Sequence, residues 1–260
     1  MKKFFTNLFI VLLVLVGLAL VFNKQIEHFI IDKMSENKVE NLSRADVLKN
    51  QTASAEFDFS KVGSLGPGEI YNGMIGDAHV IGKMAVPSVK VALPISKGLS
   101  DAALSSGGGT MKKDEVMGEG NYAIAGHYLT HKAYKKNSSQ EIDWTPLFSN
   151  LPSAPIGEKI YLTDMSKVYV YKIYSKKVIA PTETQVIDDV PGKKMVTLIT
   201  CADSGTNRWS IQGNLVSVEK ATKKNLKVFS KTKTVVKKKD AKNDSDSIGL
   251  AIYMHVKMPD

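Results

Sequence analysis

The apolar residues of this chain fall into distinct textures, and each predicts a different kind of element. Phe4 to Phe22 is a run of nineteen residues interrupted only by Thr6 and Asn7, with no charge until Lys24. At about 1.5 Å per residue this run is just long enough to cross a hydrocarbon core of about 30 Å. Gly17 and Ala19 lie inside the run and no Ala-x-Ala pattern follows it, which favours a retained anchor over a cleaved signal peptide. Lys2 and Lys3 place the amino terminus on the cytoplasmic side and the rest of the chain outside the cell.

Ser35 to Asn50 is polar, free of Gly and Pro, and carries Val39, Leu42 and Leu48. It is expected to be a stalk or a first helix packed on the domain. From about Ile70 the pattern changes to short β-rich runs punctuated by Gly, Pro, Asn and Asp. Strands are predicted at 80–86, 89–94, 122–125, 159–163, 168–178, 194–201 and 209–218, with a hairpin turn at 164–167 and a break at Gly192-Lys193. Short helical signals occur at 101–105 and 144–151. Together they predict a single all-β barrel or sandwich over residues 65–225, preceded by an anchor (1–23) and an extracellular stalk or helix (24–64).

Net charge is +9, but residues 220–242 hold ten lysines against Asp240, and the remainder balances at 25 basic and 25 acidic side chains. The basicity therefore belongs to a flexible tail, expected over 226–260, and no nucleic-acid partner is implied. Cys201 is the sole cysteine, so it has no intramolecular disulfide partner and is inert core, an intermolecular bridge or a reactive thiol. Arg44 and Arg208 are the only arginines beside 33 lysines. A guanidinium seven residues after the thiol points to a forked, permanent donor for a carbonyl or carboxylate. A thiol nucleophile also needs a proton-transfer partner. Of the five histidines, His28 adjoins the anchor and His255 lies in the tail; among His79, His127 and His131, His127 ends a predicted strand and His131 lies in the following loop, and spacing alone leaves a structural role as open as a catalytic one.

Ala125-Gly126-His127, then Thr197-Leu198-Ile199-Thr200-Cys201, then Arg208 resemble, in that order, the three motif positions of the sortases, cysteine transpeptidases of Gram-positive bacteria. Ala85-Val86-Pro87 through Leu93-Pro94-Ile95 resembles that family's early strands, and the resemblance spans residues 68–218. It implies a β-barrel of about eight strands with few short helices behind an N-terminal transmembrane helix. It implies, too, that Cys201 attacks the Thr–Gly carbonyl of an LPXTG-type sorting signal, that His127 transfers protons, and that Arg208 holds the oxyanion or the substrate backbone.

The substrate pocket implied by the resemblance comprises Ala125, Pro181, Val186, Ile187, Ile199 and Thr200. The partners implied are LPXTG-type surface proteins and the amine of lipid II or peptidoglycan, with the membrane contacted through residues 4–22. Some relatives bind calcium near 112–119, but Lys112 and Lys113 dilute the acids there, so neither a metal nor another cofactor is expected. A single hydrophobic span and the short 202–207 connection before Arg208 resemble the class A, housekeeping type. Two other readings stay open: an endopeptidase that hands the acyl group to water, and a noncatalytic wall-binding module with a buried thiol.

Overall fold

The computed structural model describes residues 2–129 and 146–230. Helices α1 (Lys2–Val21), α2 (Asn23–Asn41), α3 (Arg44–Gln51) and α4 (Pro67–Ile75) precede the first strand. The strands are β1 (Val80–Val86), β2 (Val91–Ser96), β3 (Gly108–Thr110), β4 (Asn121–Gly126), β5 (Lys159–Thr163), β6 (Lys167–Ile179), β7 (Met195–Ala202) and β8 (Asn207–Lys220), with a short α5 (Asp101–Leu104) between β2 and β3. They close into a barrel in the order β1-β2-β3-β4-β7-β8-β6-β5, with β1 hydrogen-bonded to β5. The all-β expectation of about eight strands holds.

All but one of these strands match a predicted run. The second starts at Val91 rather than Val89, because Pro87–Val89 forms a tight turn closed by Lys90 at φ 51°. The exception is β3, which carries no hydrophobic pattern because it is built of glycine. A Cβ on Gly108 would stand 2.6 Å from Cγ2 of Ile124, and one on Gly109 would stand 2.2 Å from the carbonyl oxygen of Gly98. Only glycine lets β3 slip between β2 and β4 at that distance. The predicted 144–151 helix is corrected in its described part: residues 146–150 form turns, followed by a single 3-10 turn at Leu151–Ser153. Residues 144 and 145 lie outside the described residues.

Side chains alternate across each strand, and one face fills the barrel. Tyr122 and Ile124 of β4, Val196 and Leu198 of β7 and Ile211 of β8 point inward, joined by Met84, Leu93, Ile160, Leu162 and Tyr171. Ala123, Ile187 and Ile199 form a separate buried cluster outside the barrel wall.

The region read as a stalk or packed helix takes the second form. Ile31 of α2 is fully buried in the main core and Val39 is buried as well. Val47 of α3 packs with Leu42, Ala78, Val80 and Ala102. Ser43 caps α3 through a reciprocal bond pair with Asp46, and Arg44 donates from Nη1 to the carbonyl of Asp164 at 2.7 Å. Lys38 is held among Ala102 and Ser106, donating to the Ser106 hydroxyl at 2.8 Å, and burial pulls its pKa down to about 8. At the other end Asn225–Phe229 turns back on the barrel, and Phe229 is buried against Ala85, Val168 and Val170. The packed domain therefore runs a few residues past 225, and the first residues of the expected tail belong to it. Residues 231–260 lie outside the described residues.

Phe229→Ala is expected to lower the stability of the domain by about 3–5 kcal/mol, the usual cost of emptying an aromatic site. Urea denaturation read by circular dichroism checks this, and an unchanged midpoint contradicts the packing role.

Candidate active site

Two pairings bring the predicted chemistry to one rim. Strands β4 and β7 run parallel, with Ala125 opposite Ile199, so both leave the sheet at the same end. His127 follows directly on the last residue of β4, two positions past Ala125, as Cys201 is two positions past Ile199 on β7, and both line the same groove. Strand β8 returns antiparallel and places Arg208 directly across from Cys201. Alternation puts Ala123 and Ala125 of β4 and Ile199 and Cys201 of β7 on the outer face, and His127, just past the end of β4, lines the same groove as Ala125, Ile199 and Cys201. Thr200, with its neighbours outward, turns the other way.

These residues wall a groove of about 330 Å³ that also includes Ile179, Pro181, Val186 and Ile187 from the β6–β7 loop. Ala125, Pro181, Val186, Ile187 and Ile199 all line it, with His127, Cys201 and Arg208. Thr200 does not, which corrects its assignment to the pocket. It is buried, and its Oγ1 donates to the Gly126 carbonyl at 2.8 Å, tying the cysteine strand to the histidine strand. The period-2 rule applied to Cys201 already implied this.

Sequence reasoning missed Phe59, Val62, Leu99 and Met111, which complete the groove. Phe59 opens and Val62 caps a 3-10 turn (Phe59–Lys61) whose N-cap is Asp58, with Oδ1 accepting from the Ser60 N–H at 2.9 Å. Nothing local in the sequence shows that this segment reaches the rim from a different part of the chain. His131 lies outside the described residues. His79 sits at φ 33° beside Asp77, away from the groove lining.

Burial holds the His127 pKa below its ordinary value, with the more distant Asp101 and Glu69 pulling the other way. The neutral imidazole is thereby favoured, a form that can accept a proton. Arg208 donates from Nη1 to the carbonyls of Gly205 at 2.7 Å and Asn207 at 2.9 Å, which fixes the guanidinium beside the thiol strand. Cys201 is half-buried and free.

The β6–β7 loop is clasped to the sheet by a buried polar network. Asn121 donates from Nδ2 to the carbonyls of Val186 at 3.0 Å and Asp188 at 3.1 Å, and its Oδ1 accepts from Thr197 Oγ1 at 2.7 Å. Gln212 adds a bond to the Val186 carbonyl at 3.2 Å and is in turn held by Tyr174 at 3.1 Å. The backbone of Val186 is thus gripped from β4 and β8, while its side chain faces the groove. Outside the clasp, Lys112 pairs with Asp189 at 2.6 Å, and the same Asp189 oxygen accepts from the Asn121 N–H at 2.8 Å.

The stretch weighed for calcium is otherwise occupied. Glu115 accepts from the N–H groups of Met111 at 3.1 Å and Ala123 at 2.7 Å, and burial pushes its pKa up to about 8. A cavity of about 410 Å³ lies beside it, but its lining holds no thiol or imidazole. Among the described residues no group of three or more His, Cys, Asp or Glu is placed to hold a metal ion.

Fold and site together define a β-barrel protein that presents a thiol, an imidazole and a guanidinium beside one apolar groove, on β7, just past the end of β4 and on β8. Comparison with known proteins agrees: residues 84–217 match the Sortase domain model. Sortase A of Streptococcus agalactiae serotype III is 39% identical over 86% of this chain and 91% of its own length. Sortase A of Listeria monocytogenes serovar 1/2a is 36% identical over 82% of this chain and 92% of its own. The crystal structure of Listeria monocytogenes sortase A superposes with a TM-score of 0.51 at 38% identity, covering 60% of this chain and all of that one. The chain belongs to the sortase family, of the class A type, and is a cysteine transpeptidase that anchors surface proteins.

Removing the clasp tests its role. Asn121→Ala leaves the Val186 and Asp188 carbonyls short of a donor, and lost buried hydrogen bonds cost about 1–3 kcal/mol. The expected result is a rise in KM for a sorting peptide of about tenfold or more with kcat little changed. A fall confined to kcat contradicts the loop-positioning role.

Proposed function

We propose that Cys201 is the nucleophile, His127 the proton carrier and Arg208 the oxyanion or backbone clamp of a transpeptidase that reads an LPXTG-type signal. The observation that carries this reading is that His127, just past the end of β4, and the paired Cys201 and Arg208 of β7 and β8 line one groove. The apolar wall from Pro181, Val186, Ile187 and Ile199 suits the Leu-Pro part of such a signal.

In the first half-reaction the Cys201 sulfur attacks the carbonyl carbon between Thr and Gly, and its proton passes to His127. The guanidinium of Arg208 faces the carbonyl oxygen, where negative charge develops. Collapse of the tetrahedral species breaks the C–N bond as His127 returns the proton to the departing glycine amine, leaving a thioester on Cys201. In the second half-reaction an incoming amine loses a proton to His127 and displaces the sulfur, giving a new amide. The depressed pKa of His127 suits it to the accepting role in each half. The amine is that of lipid II or its peptidoglycan product.

The apolar helix Lys3–Val21 is long enough to cross a membrane, and Lys2 and Lys3 at its amino-terminal end support a cytoplasmic amino terminus with the barrel outside. Supporting activity without calcium is the Lys112–Asp189 pair: it joins the β3–β4 and β6–β7 loops, where a cation would otherwise be needed to do so. An ammonium at that point opposes a divalent ion, which requires six to eight oxygen ligands.

Intact-mass spectrometry with an LPETG-containing peptide is expected to show the acyl fragment on Cys201, discharged to a peptide–amine product when a glycine-based amine is added. Discharge to water alone would mean an endopeptidase. Cys201→Ala abolishes the adduct in a folded protein, and His127→Ala and Arg208→Lys each cost about a hundredfold or more in kcat/KM, the latter because an ammonium lacks the forked donor. Near-normal turnover in Arg208→Lys sinks its role. Chelation with EDTA is expected to leave kcat/KM unchanged, and restoration of lost activity by added calcium overturns the calcium-free reading.

A further inference from the structure

Glu115 stands between the groove and the larger cavity. It lines the cavity of about 410 Å³ and not the groove, whereas Met111, earlier in the same connection, lines the groove and not the cavity. The two are tied through the backbone. Oε1 of Glu115 accepts from the Met111 N–H at 3.1 Å, and Oε2 accepts from the Ala123 N–H at 2.7 Å. The Met111 N–H also reaches the Ala123 carbonyl at 3.0 Å, so a single carboxyl closes the corner where the chain leaving β3 meets β4.

Both bonded residues belong to the floor of the groove. Ala123 is buried with Ile187 and Ile199, and Met111 and Val186 pack on that cluster. Met111, Val186, Ile187 and Ile199 in turn line the groove. Glu115 therefore holds the floor from behind, through two backbone N–H groups. The arrangement is that of a carboxylate. An ionised carboxyl only accepts, whereas a protonated one turns one of its oxygens into a donor and gives up that acceptor. A charged acceptor also holds an N–H about twice as strongly as a neutral one.

Resting on the reading of the groove as the sorting-signal site, we propose that Glu115 is a positioning residue of the transpeptidase, and that its ionised carboxylate fixes Met111 and Ala123 so that the groove holds its tight form around the signal. The groups around it set where it ionises. Burial pushes its pKa up to about 8, opposed by the bond from Ala123 and by Lys112. Lys112 is itself paired with Asp189 of the β6–β7 loop. From β4 and β6 come the phenols of Tyr122 and Tyr171, both kept protonated by burial. The adjoining cavity adds Lys97, Lys113, Asp114, Asp164 and Tyr169. A carboxyl that titrates there is mostly protonated near about pH 6.5 and mostly ionised near about pH 9. The floor therefore tightens, and KM for the signal falls, as pH rises through that range.

Glu115→Gln tests this with a side chain of the same shape that keeps one acceptor oxygen and cannot ionise. Full-length wild-type and variant proteins in detergent are assayed with an LPETG peptide and triglycine from about pH 6.5 to about pH 9. Acyl-enzyme formation by the wild type is measured first by intact mass. Its absence overturns the sorting-signal reading and this proposal with it, whereas a wild type that acylates leaves the variants to judge the proposal alone. The ratio of KM in the variant to KM in the wild type is expected to be about one at the acidic end and to rise to about fivefold at the basic end, the difference between a neutral and a charged acceptor. The pH profile of kcat is expected to stay that of the wild type, because both proteins share Cys201 and His127. A ratio that does not move with pH overturns the carboxylate role, and a loss confined to kcat overturns positioning at the groove. Glu115→Ala removes the acceptor from both N–H groups and is expected to raise KM about fivefold or more at every pH. A wild-type KM in folded Glu115→Ala protein, with circular dichroism confirming the fold, overturns the positioning role as well.

Discussion

The parallel pairing of β4 with β7 is the constraint on which the rest of the site depends. Antiparallel neighbours would put the ends of these two strands at opposite rims, separating His127 from Cys201 by the length of the barrel. Parallel neighbours need a long crossover, and here everything from residue 127 to residue 194 serves as one. That crossover contains β5 and β6, which close the barrel, and the loop that forms the groove wall. The same topological requirement therefore brings His127 and Cys201 to one rim and supplies the surface beside them.

A groove wall made from a loop is only as accurate as what holds the loop. The two carbonyls at Val186 and Asp188 are satisfied by Asn121, itself oriented by Thr197, with Gln212 reinforcing from β8. Buried polar groups of this kind are costly if left unpaired, so the network has one low-energy arrangement. The Lys112–Asp189 pair secures the outer edge of the same loop. Together they hold the loop with groups whose geometry is set by strands, and apolar side chains are left to face the groove.

The helices before the barrel extend this logic beyond the strands. They are packed elements of the domain, and Phe59 and Val62, with Lys24 and Glu27 nearer the span, each form part of a cleft that contains the thiol.

The chemistry and the strand content of this protein were determined by the sequence alone, because both are local properties. A single thiol, a scarce guanidinium and a strand-ending histidine are visible one residue at a time, and alternating runs mark most of the strands. Even the inward turn of Thr200 follows from a two-residue period once Cys201 is taken to face out. Only the tertiary structure decided what depends on distant pairing. Strand β3 leaves no hydrophobic trace because close packing demanded glycine there. The Phe59–Gly63 segment meets the groove, Glu27 lines a further cleft beside the thiol, and Phe229 fills a site on the barrel wall, through contacts between residues far apart in the chain. Such contacts are set by register and barrel closure, which no window of sequence contains.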